Sequence, residues 1–540
     1  MKAKYLLLFV YFFCFQIQLT AQKYNIQDSL RGSITNERIW WDLKYYNLEV
    51  NINPTLKEIS GKNIIQYEVV DSSKKMQIDL QPPMKLTKAI QDGKLLNISH
   101  HKNVHYIDLI KNQELNKIES IELHFEGKPK EAINPPWDGG FTWNKDINGI
   151  DFIATSCQGL GASVWWPNKD HMYDEVDSMK IKVNVPKHLV AVSNGRLISF
   201  SKNEKTSSFT WSISNPINNY GVNINIGNYI NFDDYYDGEK GLLQMQFYVL
   251  KHNLEKAKTH FKEARKMMEA FEYWFGPYPF YEDTYKLVEV PYLGMEHQSS
   301  VTYGNKFKNG YLGSDLSETG WGLKFDFIIV HESGHEWFAN SITNKDVADM
   351  WIHEGFTSYA ENLFLDYYHG KRASAEYVIG TRKRIKNDKA IIGDYNVNNV
   401  GSSDMYYKAA NMIHMLRQLT NDDSKWRNIL RKLNNNFYHK VVTSNEIEKF
   451  LSNEIGIDLK PFFNQYLRDT KIPVFEYKIL ENKMHYRWSN VVENFNMPIE
   501  IIIDNSKRWI YPTESWKISN LNFQKIDIDK DYYVKVKNTK

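Results

Sequence analysis

The sequence predicts an α+β multidomain protein with a β domain at each end and a mainly helical domain between them. Three observations predict this fold. The length of 540 residues exceeds what one core accommodates, residues 36–240 alternate in short strand-like runs, and residues 241–470 change to a helical period. We therefore predict an N-terminal, mainly antiparallel β domain at 36–240, a helical domain at 241–470 and a small C-terminal β-sandwich domain at 471–540.

The first residues have the pattern of a secretory signal peptide. Two lysines precede the apolar run Tyr5–Phe15, and the small Ala21 offers a cleavage point. We therefore predict that residues 1–21 are removed and that the protein is secreted or periplasmic. The apolar run is shorter than the roughly 20 residues that span a bilayer, so we expect no membrane anchor after cleavage.

The charge balance and the cysteine content exclude a nucleic-acid partner and a disulfide framework. Lys plus Arg number 67 and Asp plus Glu number 65, so no polyanionic partner is expected. Of the two cysteines, Cys14 lies in the predicted signal peptide, which leaves Cys157 alone. Because one cysteine makes no internal disulfide, we expect packed cores and a bound metal to stabilise the protein.

Particular segments support each predicted domain. The first domain contains runs of β-branched and aromatic residues bounded by turn residues, such as Tyr46–Ile52 and Ile181–Val185. The helical domain contains long stretches with apolar residues at helical spacing, namely Leu254–Phe275, Lys324–Phe338, Trp351–Tyr368 and Met405–Leu419. After Pro473 the alternating pattern returns in Phe475–Leu480, Ile499–Ile503 and Tyr532–Val536.

A metal-binding motif, H-E-x-x-H, lies in the helical pattern at Ile329–Phe338. His331 and His335 share one helix face, with roughly 6 Å between their Cβ atoms, which suits two ligands of one ion. Glu332 is turned by about 100 degrees from His331, so its carboxylate can reach a metal-bound water without binding the metal. A histidine pair on a helix is also found on ordinary surfaces, so the assignment depends on the surrounding sequence.

A second helical segment supplies a candidate third ligand. Glu354 follows His335 after 18 intervening residues. Two imidazoles and one carboxylate favour zinc, one ion per chain, with a fourth position left for water. Zinc lowers the pKa of that water towards neutrality and makes hydroxide available for attack. Glu336 and Glu361 are competing carboxylates, and their positions on the helices favour a supporting or surface role.

With these residues in place, the sequence resembles the gluzincin aminopeptidase family, which contains aminopeptidase N and leukotriene A hydrolase. The segment Leu293-Gly294-Met295-Glu296-His297 stands where that family has G-x-M-E-N, and Tyr406-Tyr407-Lys408-Ala409-Ala410 stands where it has Y-x-K-G-A. The motifs occur in the family's order, and the similarity covers about residues 36–480. The resemblance implies a thermolysin-like catalytic domain at 241–470.

The resemblance also implies roles for the matching residues. Glu296 would bind the free α-amino group of a peptide, and Gly294 and Met295 lie on the strand that would line the substrate backbone. Tyr406 would donate a hydrogen bond to the oxyanion of the tetrahedral intermediate. Gln158, which precedes a Trp-Pro turn, matches a family element that also contacts the amine.

Three positions depart from the family pattern. Leu293 replaces the first Gly, His297 replaces the Asn, and Ala409 replaces the Gly after the Lys. The first two lie on the strand expected to line the substrate, so they bear on side-chain preference more than on mechanism. Ala409 adds one methyl group on a helix, which we expect to be tolerated.

These residues together predict a secreted zinc aminopeptidase that acts on peptides with a free N-terminus, with Glu332 as general base. A carboxylate that anchors the substrate ammonium beside the zinc would fix the cut one residue from the chain start. Two alternatives stay open. A zinc endopeptidase of the thermolysin type shares H-E-x-x-H but lacks the amine-binding motif near Glu296, and a non-catalytic peptide-binding protein could retain the same fold.

Overall fold

The computed structural model describes residues 24–481, 483–504, 506–519 and 526–539. The predicted signal peptide at residues 1–21 lies outside these ranges. Among the helices within them, none combines the length and the apolar character needed to cross a membrane.

The N-terminal region is built of strands. Two short helices come first, α1 (Ile26–Gly32) and α2 (Asn36–Ile39). The strands that follow are β1 (Trp41–Asn53), β2 (Glu58–Val69), β3 (Lys75–Asp79), β4 (Lys85–Gln91), β5 (Lys94–Leu95), β6 (Asn97–His101), β7 (Val104–Asp108), β8 (Ile118–Gly127), β9 (Gly140–Lys145), β10 (Asp151–Ser156), β11 (Ser178–Pro186), β12 (Val190–Ser193), β13 (Arg196–Lys202), β14 (Thr206–Ile213) and β15 (Ile224–Gly227). They form sheets in the orders β13-β14-β11-β1-β2-β8-β4-β5, β12-β15-β10-β9 and β3-β7-β6.

The largest sheet is mainly antiparallel, as predicted, with one parallel pair. Strand β1 pairs antiparallel with β2 and parallel with β11, so that Leu48 lies beside Ile181. Burial alternates along both strands, which places one face of the sheet in the core. Trp165 and Trp166 belong to this core and are fully buried. Cys157 is also buried and is a free cysteine.

The middle region combines a sheet with helices. Its strands are β16 (Tyr229–Gly238), β17 (Gly241–Leu250), β18 (Tyr285–Glu289), β19 (Gly294–Met295) and β20 (Val301–Tyr303), in the order β16-β17-β18-β20-β19, and the pair β21 (Ile342–Asn344) and β22 (Lys440–Val442). Its helices are α3 (Leu254–His260), α4 (Lys262–Phe275), α5 (Phe327–Gly334), α6 (Trp351–His369), α7 (Lys371–Thr381), α8 (Tyr407–Thr420), α9 (Asp423–Asn436), α10 (Ser444–Ile455) and α11 (Lys460–Leu467). The predicted domain boundary at 240 falls in the turn of the β16–β17 hairpin.

The predicted helix Lys324–Phe338 is shorter in the structure. Helix α5 ends at Gly334, and a wide turn follows in which Phe338 (φ −123°, ψ 81°) and Ala339 (φ 151°, ψ −50°) leave the helical conformation. This turn brings the Phe338 carbonyl oxygen to 3.0 Å from His335 Nδ1. The apolar residues keep a helical spacing through this segment of the sequence. In the structure, the contact between His335 Nδ1 and the Phe338 carbonyl oxygen takes the place of the next helical turn.

The C-terminal region contains two sheets, as predicted for a sandwich. Its described strands are β23 (Val474–Leu480), β24 (Lys483–Ser489), β25 (Ile499–Ile503), β26 (Ser506–Ile510), β27 (Lys517–Ser519), β28 (Ile526–Ile528) and β29 (Lys535–Asn538), in the orders β27-β24-β23-β29 and β26-β25-β28. Both sheets bury residues in one core, including Trp488 and Ile501. The predicted strand Tyr532–Val536 is wrong in position, because Tyr532 N donates to Asp529 O in a turn and pairing begins at Lys535.

Candidate active site

Two helices position the candidate metal ligands. Asp326 caps α5, because its side chain accepts hydrogen bonds from the backbone N–H groups of Ile328 and Ile329. His331 lies in the last turn of α5 and His335 directly follows it. Glu354 lies in the first turn of α6, which packs across α5, and all three side chains are buried.

The three side chains converge on one point. Glu354 Oε2 lies 3.7 Å from His331 Nε2 and 3.4 Å from His335 Nε2, and one ligand atom from each residue lies within 4.8 Å of the other two. Within the described residues Glu354 Oε2 is buried and accepts no hydrogen bond. A buried carboxylate oxygen without a donor is costly unless a cation satisfies it, so the group fits a metal ion.

Electrostatics keep the Glu354 carboxylate ionised. Burial acts to raise its pKa, but the adjacent imidazoles of His335 and His331 outweigh burial and hold the pKa of Glu354 well below its usual range. An ionised carboxylate beside two imidazoles is the donor set that zinc prefers.

The Nδ1 atom of each imidazole, on the side away from Glu354, contacts another group of the protein. His331 Nδ1 lies 2.7 Å from Glu361 Oε1, and the Tyr377 hydroxyl donates to the other Glu361 oxygen at 2.6 Å. His335 Nδ1 lies 3.0 Å from both the Phe338 carbonyl oxygen and the Thr357 hydroxyl. These contacts place the proton on each Nδ1 and leave each Nε2 free to bind a metal.

The competing carboxylate Glu336 lies away from this point. Its oxygens accept hydrogen bonds from Ser299 N at 2.9 Å and from the Tyr278 hydroxyl at 3.0 Å. Both oxygens of Glu336 and both oxygens of Glu361 are therefore engaged in contacts with other groups of the protein.

Glu332 lies beside the candidate metal ligands and close to β19. Glu296, Glu332 and His335 form a second group whose ligand atoms lie within 4.8 Å of one another. Burial, with a contribution from Glu296, raises the pKa of Glu332 to about 7. Of the two groups, the one with Glu354 fits a metal ion better, because Glu296 already accepts a hydrogen bond from Gln158 and Glu354 Oε2 has no donor among the described residues.

Gln158 and Glu296 meet at the site although they lie 138 positions apart in the sequence. Gln158 Nε2 lies 2.6 Å from Glu296 Oε1 and 3.1 Å from Glu354 Oε1. Glu296 follows Gly294 and Met295 of β19, and its carbonyl oxygen accepts from Asn340 Nδ2 at 2.8 Å. The structure thus brings an amide from the N-terminal region and a buried carboxylate together next to the metal ligands.

Of the two neighbouring tyrosines, Tyr406 is the one that faces the site. The centroid of its ring lies 6.3 Å from that of the His331 ring, with 26° between the ring planes, and burial together with Glu354, Glu296 and Glu332 raises the pKa of Tyr406. Tyr407 does not line the cavity that Tyr406 lines, and its charged neighbours include Glu361 and Arg384. The hydroxyl of Tyr406 is therefore held in its protonated, hydrogen-bond-donating form.

Tyr220 is a site residue that the sequence analysis missed. Its side chain is buried, and its pKa is raised well above the ordinary value by burial and by Glu296 and Glu354. Tyr220 lies in a short turn between β14 and β15, where the sequence has no motif to distinguish it from the other tyrosines.

The candidate metal ligands and their neighbours Glu332, Glu296 and Tyr406 line a cavity of about 270 Å³, here called the catalytic cavity, and Tyr220 lies outside its lining. All nine predicted site residues line it. Its lining residues are Pro136, Trp137, Gln158, Gly159, Gly294, Met295, Glu296, His331, Glu332, His335, Val347, Met350, Glu354, Asn398, Val400, Met405 and Tyr406. Its acidic lining residues are Glu296, Glu332 and Glu354, and apolar side chains form much of the remaining wall.

The helical region matches a known family. Residues 259–466 match the family model described as Peptidase family M1 domain. Among curated proteins, the chain is 20% identical over 376 residues to leucyl aminopeptidase of Saccharolobus solfataricus, covering 66% of this chain and 45% of the relative. It is 26% identical over 290 residues to leukotriene A-4 hydrolase of Xenopus laevis, covering 50% and 44%. The chain thus spans less than half the length of these relatives.

Solved structures share the fold. The M1 zinc metallopeptidase of Deinococcus radiodurans aligns with a TM-score of 0.67 at 16% sequence identity, over 81% of this chain and 95% of that one. A two-domain M1 zinc metallopeptidase bound to L-tryptophan aligns with a TM-score of 0.69 at 16% identity. Zinc, the metal of these peptidases, suits the two imidazoles and the carboxylate that converge here.

Proposed function

The chain carries a peptidase family M1 domain, and from this premise we propose that it is a zinc aminopeptidase that removes the N-terminal residue of peptides. The observation that carries the proposal is the contact of Gln158 with both Glu296 and Glu354, at 2.6 and 3.1 Å. It puts a polar, negatively charged pocket directly beside a metal ligand. A substrate ammonium held there would leave only the first peptide bond within reach of the metal.

In this proposal His331, His335 and Glu354 hold the zinc. Bound zinc supplies a Lewis acid that acidifies water and polarises the peptide carbonyl. Glu361 and the Phe338 carbonyl oxygen hold the two imidazoles from behind, so the ligands keep their orientation through the reaction.

Glu332 serves as the general base and then as the acid. Its carboxylate takes a proton from the attacking water and passes it to the nitrogen of the leaving peptide. A Cβ on Gly294 would lie 3.3 Å from Glu332 Cγ and 2.6 Å from a methyl group of Ile328. Glycine at this position therefore lets the substrate strand lie close to the base.

Glu296 and Gln158 act at the amino group of the first substrate residue, and Tyr406 acts at its carbonyl oxygen. Glu296 accepts hydrogen bonds from the substrate ammonium, with Gln158 Oε1 as a second acceptor. Tyr406 donates to the oxygen on which negative charge develops. The high pKa of Tyr406 keeps that proton in place.

Comparison of a free and a blocked N-terminus tests the proposal. We expect a peptide with a free amine to be cleaved at its first bond and its N-acetylated form to resist cleavage. Glu296→Ala should remove most of the activity on free amines while the bound zinc stays. Equal cleavage of the two peptides would instead support the zinc endopeptidase, and bound zinc without turnover on either would support a peptide-binding protein.

We also propose that the protein is exported. The support is the apolar run Tyr5–Phe15 with Ala21 after it. Sequencing the N-terminus of the protein from the producing cells tests this, because an N-terminus at Met1 would contradict removal of residues 1–21.

A further inference from the structure

Helix α1 lies next to the part of the catalytic cavity wall that contains Gln158. A small cavity of about 40 Å³, here called the rear cavity, has Arg31 and Gly32 of α1 in its lining. Gln158 and Asn398 line both the rear cavity and the catalytic cavity. These two residues therefore have the cavity next to α1 on one side and the catalytic cavity on the other.

Arg31 contacts the turn that carries Gln158. Its Nη2 atom donates a hydrogen bond to the carbonyl oxygen of Gly159, the next residue in the chain, at 3.2 Å. A Cβ on Gly161 would lie 2.6 Å from Arg31 Nη2 and 2.7 Å from Asp170 Oδ1. The turn therefore packs directly against the guanidinium group and the carboxylate, and a hydrogen bond from a charged donor is stronger than one between neutral groups.

Helix α1 also contacts the loop at residues 394–400, which contributes to the catalytic cavity from the helical region. A Cβ on Gly32 would lie 2.6 Å from Val397 N, so the end of α1 touches the backbone of the loop. Before α1, the Tyr24 hydroxyl donates to Asp394. The loop therefore supports α1 from outside the turn that α1 binds.

The position of that turn decides what the Gln158 side chain can reach. Gln158 Nε2 lies 2.6 Å from Glu296 Oε1 and 3.1 Å from Glu354 Oε1, so one amide group meets two carboxylates. A glutamine side chain is flexible, and ordering it in one conformation has an entropic cost. A backbone that is already held in place reduces this cost when a ligand binds.

We propose that Arg31 is a positioning residue for the substrate amine and that, through Gly159, it holds Gln158 against Glu296. The inference rests on the proposed aminopeptidase function and extends its amine pocket to α1. The family domain matched at residues 259–466 contains neither partner of the Arg31 contact. Without Arg31 the turn is released and the pocket loses an ordered acceptor for the ammonium, whereas the candidate metal ligands keep their own contacts.

Two inhibitors that differ only in the amine test the inference. An amino-acid hydroxamate carries a free α-amine and a zinc-binding group, and its des-amino analogue carries the zinc-binding group alone. We expect the zinc-loaded wild-type protein to bind the amine-bearing compound more tightly. Arg31→Met should reduce this preference about ten-fold, as for the loss of one hydrogen bond to a charged group, and should leave the affinity for the des-amino analogue unchanged. Calorimetric titration measures both affinities.

The kinetics of an aminoacyl reporter give a second readout. The substrate ammonium is bound alike in the ground state and the transition state, so Arg31→Met should raise KM and leave kcat near the wild-type value. Arg31→Lys keeps the charge without the planar donor group, so its KM should lie between the other two, and it takes the place of Arg31→Met if that variant does not fold. Arg372→Met removes an exposed arginine outside both cavities and should match the wild type.

A double-variant cycle shows whether Arg31 acts through Gln158. In a Gln158→Ala background, Arg31→Met should cause no further loss of the amine preference. Full amine preference in the folded Arg31 variant, or an added loss in the double variant, would overturn the inference. Equal affinity of the wild type for the two inhibitors would instead refute the amine pocket itself, and with it the aminopeptidase on which the inference rests.

Discussion

At the residue scale, Glu361 and Glu332, two buried glutamates beside His331, differ in the contacts that they make. Glu361 bonds the imidazole from behind and also accepts from Tyr377, so both of its oxygens are engaged. Glu332 lines the catalytic cavity and lies on the side where a peptide would bind. A carboxylate that faces the substrate is available for proton transfer, whereas one that is bonded on both oxygens orients a ligand.

The variant Glu332→Gln tests whether Glu332 transfers protons and does not bind the metal. We expect the variant to keep its zinc, because Glu332 is outside the group formed with Glu354, and to lose about 10²- to 10⁴-fold in kcat, the usual contribution of a general base. Metal analysis of the purified variant and its rate on an aminoacyl reporter measure the two quantities. If zinc and activity disappear together, Glu332 is a ligand and its assigned role is wrong.

At the scale of elements, helices α6 and α8 approach closely at Gly355. A Cβ built on Gly355 would lie 2.7 Å from the Cβ of Ala409 and 3.3 Å from the Met405 carbonyl oxygen. Ala409 is one of the departures from the family motif, and its methyl group packs where a glycine would leave space. Because Glu354 precedes Gly355, any displacement of α6 moves a candidate metal ligand.

Gly355→Ala should therefore weaken zinc binding as well as folding. A methyl group at that distance forces the helices apart, and overpacking of this kind costs about 1 to 3 kcal/mol. Ala409→Gly in the same chain removes the nearer contact and should restore most of the zinc affinity, measured by competition with a chelator. Additive losses in the double variant would mean that the two helices do not press on each other here.

The elements that local sequence determines were the ones predicted well. The apolar period placed Trp351–Tyr368, and the structure has α6 at Trp351–His369; the strand Ile499–Ile503 coincides with β25. The break after Gly334 was missed because the apolar residues keep a helical spacing beyond it, and the contact of His335 with the Phe338 carbonyl oxygen is visible only in the structure. The parallel pairing of β1 with β11 was missed because register between distant strands is set by the sheet as a whole.

The same distinction holds for the site. His331, Glu332 and His335 are recognisable because one helix turn fixes their spacing. The approach of Gln158 to Glu296 was expected only from the family resemblance, since no local rule relates residues so far apart. Tyr220 had neither a motif nor a period and became visible only when its neighbours Glu296 and Glu354 were in place.

At the scale of the whole molecule, contacts between regions hold the site together. Gln158 and Tyr220 belong to the N-terminal region, and the candidate metal ligands belong to the helical region. Arg382, at the end of α7, donates to the carbonyl oxygens of Lys530 and Asp531 at 2.7 and 3.0 Å, which fixes the C-terminal sheets on the helical region. The site therefore depends on how the regions are docked.

One of these contacts depends on protonation. Thr343 on β21 donates to Glu175 Oε1 of the N-terminal region at 2.6 Å. Burial raises the pKa of Glu175 from its ordinary 4.5 to about 8, with a further contribution from Asp174. Between these two values the folded protein keeps a proton that the unfolded chain releases, so the contribution to stability is present at low pH and is lost as the pH rises through 8.

Glu175→Gln should make folding less sensitive to pH over this window. An amide has the shape of the protonated acid and no charge to bury, so we expect the variant to gain stability over the wild type, by up to a few kcal/mol, as the pH rises from about 5 to about 9. Thermal or urea unfolding at several pH values measures the difference. Glu493→Gln, which removes an exposed carboxylate, should follow the wild-type profile. Parallel profiles for the wild type and Glu175→Gln would show that Glu175 is already ionised in the folded protein.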